Sequence, residues 1–236
     1  MARVSGIGSL PFKSPDEAVD FVFHFSPELP FLPQLPSRSP LESMNKQLDE
    51  GFPGLKTVES KRYIIQDDDF FLSVDQLFRV YEDPDEFHWG YISKERCSCL
   101  EYFIERVRSH SCKEVKIQIS GPITYGMSLL DEDGKPALYD DVLLEVIVKH
   151  LSMKLRWLTK RCLEAAERVV VFLDEPFLAS FGTPFFSWSD ASLVRETLAR
   201  VGQEAKVLGS HCCCNTDWSI FLEGPFQLVS FDSYGY

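Results

Sequence analysis

Arg168-Val169-Val170-Val171-Phe172-Leu173 is the stretch that decides the fold. After its opening arginine it is apolar without interruption. A strand buried on one face alternates apolar and polar residues; one covered on both faces reads as a continuous apolar run. Both of its faces must therefore be covered. Upstream, Tyr139, Val142, Leu143, Val146, Ile147, Leu151, Leu155, Leu158 and Cys162 trace one face of a long helix. Downstream, Asp190 is placed to cap a helix running through Val201, with Leu193, Val194, Leu198 and Val201 inward. Ala205 to Ser210 then reads as the next strand. Strand, helix, strand in this order predicts parallel pairing through right-handed crossovers, an α/β architecture.

The same alternation extends outward. Val4 to Ser9 reads as a first strand, and Ser14-Pro15-Asp16-Glu17 as a helix start, with Ser14 as N-cap and Glu17 three residues on. Leu29 to Leu35 is a second, proline-rich extended piece. Glu114 to Ser120 is a third strand, ending at Gly121-Pro122, and Gln227 to Phe231 follows as a sixth. Residues 37–113 are the least regular. There Tyr63-Ile64-Ile65 and Phe70-Phe71-Leu72 predict a hairpin around Asp67-Asp68-Asp69. Leu100, Phe103, Ile104 and Val107 predict a helix. The strands end in turn on Ser9, Gln34, Ser120, Asp174 and His211, with Asp232 just after the sixth. In an α/β barrel such ends gather on one rim, where catalytic groups sit. A closed barrel of that type has eight strands. The expectation is a single domain over residues 1–236 forming a (β/α)8-type barrel that is incomplete at about six strands. Its open edge would be covered by further residues or by a second copy of the chain.

Composition narrows the partners. The 236-residue chain is 44% apolar and 25% charged, ordinary for a globular protein, and carries a net charge of −12. That charge opposes a nucleic-acid surface, which needs clustered Lys and Arg. No apolar run approaches the ~20 residues that span a bilayer, and the first residues lack the apolar core of a secretory signal. Seven cysteines, three of them adjacent, make a poor disulfide framework and point to a reducing cytoplasm.

Gly209-Ser210-His211-Cys212-Cys213-Cys214-Asn215-Thr216-Asp217-Trp218 carries the chemistry. His211 and Cys213, two apart at a strand end, project to one side because strand side chains alternate. An imidazole and a thiolate are two of the four ligands of a tetrahedral zinc. Small soft residues packed into a core are the other reading. Cys212 and Cys214 alternate away, as packing residues would. Cys97 and Cys99 lie in a helical run that points them apart, and His24, His88, His110 and His150 lack partners.

Taken in order, Gly6-Ile7-Gly8-Ser9-Leu10-Pro11, Ile119-Ser120-Gly121-Pro122-Ile123-Thr124, Leu173-Asp174-Glu175-Pro176, His211-Cys212-Cys213 and Val229-Ser230-Phe231-Asp232 resemble the catalytic barrel of cobalamin-independent methionine synthase. That family lies within the wider group that includes uroporphyrinogen decarboxylase. The resemblance spans nearly all of the chain. It implies a TIM-type barrel and a zinc-dependent methyltransferase that activates a small thiol. His211 and Cys213 would be the zinc pair, and Asp232 stands where the family has a zinc-binding Glu, one methylene longer. Ile7, Gly8 and Ser9 would hold the substrate carboxylate and Asp174 its ammonium group. The second strand departs from the family, with Pro33-Gln34-Leu35-Pro36 in place of a Glu-containing motif. The methyl donor would be a folate or a methyl-corrinoid protein. Zinc binding deprotonates a thiol whose pKa is otherwise ~8.5, which makes it nucleophilic. Two other functions compete with this one. A metal-free decarboxylase of the uroporphyrinogen type would need basic residues for a polycarboxylate, and the N-terminal loop offers only Lys13. A non-catalytic binding protein on a partial barrel is the third.

Overall fold

The computed structural model describes residues 3–235; Met1, Ala2 and Tyr236 lie outside the described residues. The chain opens on an extended segment that leads into helix α1 (Pro15–Phe25). Ser14 is extended and Pro15 occupies the first turn, as the sequence predicts, but the Ser14 hydroxyl bonds the Asp16 carboxylate instead of a helix N–H. A β-ribbon follows, β1 (Leu55–Val58) against β2 (Lys61–Ile64). Its turn residues Glu59 and Ser60 both adopt positive φ, as a tight hairpin turn demands.

The hairpin expected around Asp67–Asp69 does not form. These residues open helix α2 (Asp68–Tyr81), and Asp67 caps it by accepting the Phe70 N–H at 3.0 Å. Phe70, Val74 and Leu77 face inward while Phe71 and Leu72 are exposed. An acidic run before an apolar stretch is as much an N-cap signal as a turn signal, and here the 3.6-residue period prevails.

Helix α3 (Leu100–Ser109) buries Leu100, Phe103, Ile104 and Val107 as predicted. Cys97 and Cys99 fall in the turn before it, both buried. Then come β3 (Glu114–Ser120), α4 (Pro122–Met127), α5 (Asp141–Leu163), β4 (Arg168–Asp174), α6 (Ala191–Gly202), β5 (Val207–Cys212), the short α7 (Ser219–Leu222) and β6 (Leu228–Phe231). Asp140 caps α5 through the N–H groups of Val142 and Leu143, and Asp190 caps α6 through that of Ser192. Strands β3-β4-β5-β6 form a parallel sheet in that order.

The first two expected strands survive only as single parallel bridges, Ser9 to Gln34 and Phe31 to Lys116. Backbone bonds still hold them in strand positions beside β3: Leu32 N to Lys116 O at 2.9 Å, Lys116 N to Pro30 O at 2.8 Å, and Gln34 N to Gly8 O at 2.9 Å. Pro30 and Pro33 have no N–H to give, which interrupts a regular ladder.

The sheet has two unlike faces. Val115, Ile117, Ile119, Val169, Val171, Leu173, Leu208 and Cys212 join Leu143, Val146, Ile147 and Leu151 of α5 in one buried apolar cluster. The opposite face carries Lys116, Gln118, Ser120, Phe172, Asp174, Gly209, His211 and Ser230, by the strict alternation of side chains along each strand. A Cβ at Gly209 would lie 2.6 Å from the Phe172 ring, so a side chain there would have to displace that ring. No helix of the described residues is long and apolar enough to cross a membrane.

Candidate functional site

Parallel register sets the site. Ser120 pairs with Asp174, Asp174 with His211, and His211 with Ser230, a polar row across the C-terminal ends of four strands. Three of the strand-end residues singled out in the sequence, Ser120, Asp174 and His211, are thus neighbours. Ser9 and Gln34 meet each other, with the Ser9 hydroxyl 3.4 Å from Gln34 Oε1.

Asp174 is 5% exposed, and its Oδ1 is buried without any hydrogen-bond partner. Burial pushes its pKa up to about 7, and the Lys116 ammonium opposes the rise. Lys116 is equally buried. Its Nζ donates to Ile7 O at 3.3 Å and Gln118 Oε1 at 3.1 Å and sits 4.5 Å from the centre of the Phe172 ring. Burial lowers its pKa to about 8, with Asp174 pulling the other way. His211 Nδ1 lies 3.0 Å from Ser230 Oγ; burial, then the charge of Lys116, lowers the imidazole pKa. The Gln118 amide donates to Leu32 O at 2.8 Å. Gly8, at φ +145°, leaves a Cβ position only 2.5 Å from Gln118 Nε2. Lys116 and Gln118 therefore form the platform on which the Ile7-Gly8-Ser9 loop rests. The sequence carried a signal for both residues. Lys116, Gln118 and Ser120 alternate within a strand whose other positions are apolar.

A cavity of about 270 Å³ opens between residues 5–7 and β6. Gly6, Ile7, Lys116, Phe172, His211 and Ser230 are among its lining. The Ser120 hydroxyl bonds Asn45 Oδ1 at 2.6 Å and Met44 O at 3.0 Å, drawing a loop remote in sequence to the end of β3.

The expected zinc donors do not gather into a site. His211 faces the cavity and Cys212 the apolar core. Cys213 lies just past β5, exposed, with its sulfur 3.9 Å from that of Cys214. Burial raises the Cys213 thiol pKa, as do Cys214 and, more weakly, Asp174. Asp232 is exposed and accepts the N–H groups of Tyr234 at 2.9 Å and Gly235 at 3.2 Å, closing its own turn. Among the described residues no group of three His, Cys, Asp or Glu side chains is arranged to hold a metal. A catalytic zinc needs three protein ligands and an open position, and this donor set does not fit it. All seven cysteines are free.

Glu175 is a residue that the sequence reading passed over. It is wholly buried, and its carboxylate accepts the N–H of Ile123 at 3.0 Å and of Thr124 at 2.7 Å, at the start of α4. Burial pushes its pKa up to about 7, and the bonds from Thr124 and Ile123 oppose that. A Cβ at Gly121 would lie 2.1 Å from Glu175 Oε1. The Gly-Pro and Asp-Glu-Pro motifs are thus two halves of one joint, with Asp174 on the polar face of the sheet and Glu175 turned to the helix.

Comparison with known proteins found no matching family model, no matching curated protein and no matching solved structure.

Proposed function

We propose that this chain is a methyltransferase-like enzyme of the methionine synthase pattern, binding a small thiol on the polar face of an incomplete (β/α)8-type barrel. One observation carries the reading. Asp174 presents a buried carboxylate oxygen without a partner, in register with His211, at the C-terminal ends of parallel strands. Ligands of parallel α/β sheets bind at those ends, and a buried acceptor left open is matched by a donor on the ligand. An ammonium group supplies that donor. The Ile7-Gly8-Ser9 loop, fixed by Lys116 and Gln118, stands ready for a carboxylate. Neutral His211, its pKa lowered, is the group to accept the thiol proton. The transferred methyl group would come from a folate or a methyl-corrinoid protein. The zinc of the resembling family takes no step here, because its donors are not gathered.

Calorimetric titration with a series of short thiols, with and without an amino group, tests the reading. Amino thiols should bind, Asp174→Asn should weaken them at least tenfold, and thioether should form when methyl-corrinoid or methyl-folate is added. Equal binding of thiols lacking the amino group, or none at millimolar concentration, would defeat it.

A further inference from the structure

The geometry points to a second chemistry on the same face: Lys116 is an amine nucleophile that captures a small aldehyde or ketone as an imine, with Asp174 as its proton shuttle. This goes beyond the thiol reading and does not depend on Cys213 or on strand-end metal chemistry.

Two independent observations support it. The first is the setting of the amine. Lys116 lines the cavity of about 270 Å³ between residues 5–7 and β6. Among the described residues it makes no ion pair: its bonds go to a carbonyl and an amide oxygen, and the Phe172 ring lies beneath it. Two of its three donors are held, so the third is free for the cavity. A lysine desolvated against an apolar wall, with no carboxylate bonded to it, gives up its proton readily and is nucleophilic. The second is Asp174, whose buried Oδ1 lacks a partner. His211 on β5 lines the same cavity as Lys116, and Asp174 projects from the adjacent strand β4 on the same face of the sheet, beyond that lining. The remaining wall carries no charge: Ile7, Leu29, Leu228 and Val229 are apolar, and Ser5 and Ser230 add hydroxyls, so the ligand class is a neutral carbonyl compound of a few carbons.

The step balances without a further reactant. The free amine attacks the carbonyl carbon, a C–N bond forms, and the carbonyl π pair moves to oxygen, which takes a proton from the Asp174 carboxyl. The nitrogen proton returns to the Asp174 carboxylate. The carbinolamine oxygen takes a proton from Asp174 again and leaves as water as the C=N bond forms, and the remaining N–H proton of the iminium returns to the Asp174 carboxylate. Carbonyl compound and amine give imine and water.

Lys154 supplies an internal control. It too is fully buried with a pKa lowered by burial to about 8, but its Nζ is tied to Tyr91 O at 2.7 Å and it does not line this cavity. The full chain is incubated with butanal and cyanoborohydride at mildly alkaline pH, and alkylated lysines are mapped by mass spectrometry. Lys116 should be labelled at least tenfold faster than Lys154 and the exposed lysines. Asp174→Asn, folded by circular dichroism, should slow labelling of Lys116 alone. Butanal should outpace pyruvate. Labelling of Lys116 no faster than Lys154, or an unchanged rate in Asp174→Asn, overturns the proposal, and faster capture of pyruvate overturns the ligand class.

Discussion

The Glu175 carboxylate accepts the backbone N–H of Thr124 at 2.7 Å, joining the end of β4 to the start of α4 across 51 residues of chain. The bond satisfies one of the N–H groups that every helix start leaves open, and its partner bond to Ile123 satisfies a second. Both lie inside the protein, where water cannot substitute. Glu175→Gln turns one accepting oxygen into a donor facing N–H groups. It should destabilise the fold by roughly 1–3 kcal/mol. Urea unfolding measures this, and an unchanged midpoint would show that the joint contributes nothing.

His150 is fully buried on α5, with Nε2 2.6 Å from Leu48 O and its ring against Phe52 and Tyr125. Burial, then the charge of Lys154, lowers its pKa from 6.5 to about 3. The unfolded imidazole takes up a proton below about 6.5 that the folded one refuses. Stability is therefore lost as pH falls from 6.5 toward 3, on the order of 5 kcal/mol in full. His150→Gln keeps a donor for Leu48 O and should flatten this fall relative to wild type. Equal slopes in both proteins between pH 6.5 and 4 would rule His150 out as its source.

Gly8 sits at φ +145° with its missing side-chain position against Gln118 Nε2. Gly8→Ala strains the backbone and displaces an amide bonded to Leu32 O. The expected loss is about 1–3 kcal/mol together with thiol binding. Thermal melts and titration report the two separately, and a variant that melts and binds like wild type contradicts the platform described for this loop.

Since His211, Cys213 and Asp232 do not converge, and no three metal donors do among the described residues, protein isolated without chelator should carry well under one zinc per chain. His211→Ala combined with Cys213→Ser should leave that content unchanged. One zinc per chain in wild type, lost in the double variant, would show that another donor joins this pair.

Much of the fold is legible in the sequence because it is written in local periods. The continuous apolar run of β4, the 3.6-residue spacing along α5, and the caps Asp140 and Asp190 each act within a few residues of themselves. The reading fails where two local signals compete. Asp67 to Asp69 suit a turn and a cap alike, and the inward row Phe70, Val74 and Leu77 chooses the helix only once there is a core to face. It fails again at Pro30 and Pro33, where an extended strand position survives without a regular ladder.

By itself the sequence determined that parallel strands alternate with helices and that polar residues end the strands. The alternation of side chains along one strand also placed Lys116, Gln118 and Ser120 on a common face. Only the tertiary structure decided which residue stands beside which. Ser120, Asp174 and His211 become neighbours through the register of three strands, and Glu175 meets Ile123 and Thr124 because β4 lies against β3. Register between parallel strands is set by crossover length and by the packing of helices on the sheet, sums over dozens of residues that no local motif records. Burial is decided the same way. The sequence shows Lys116 and Asp174 only as charged residues, and their shifted protonation exists because the folded chain removes both from water.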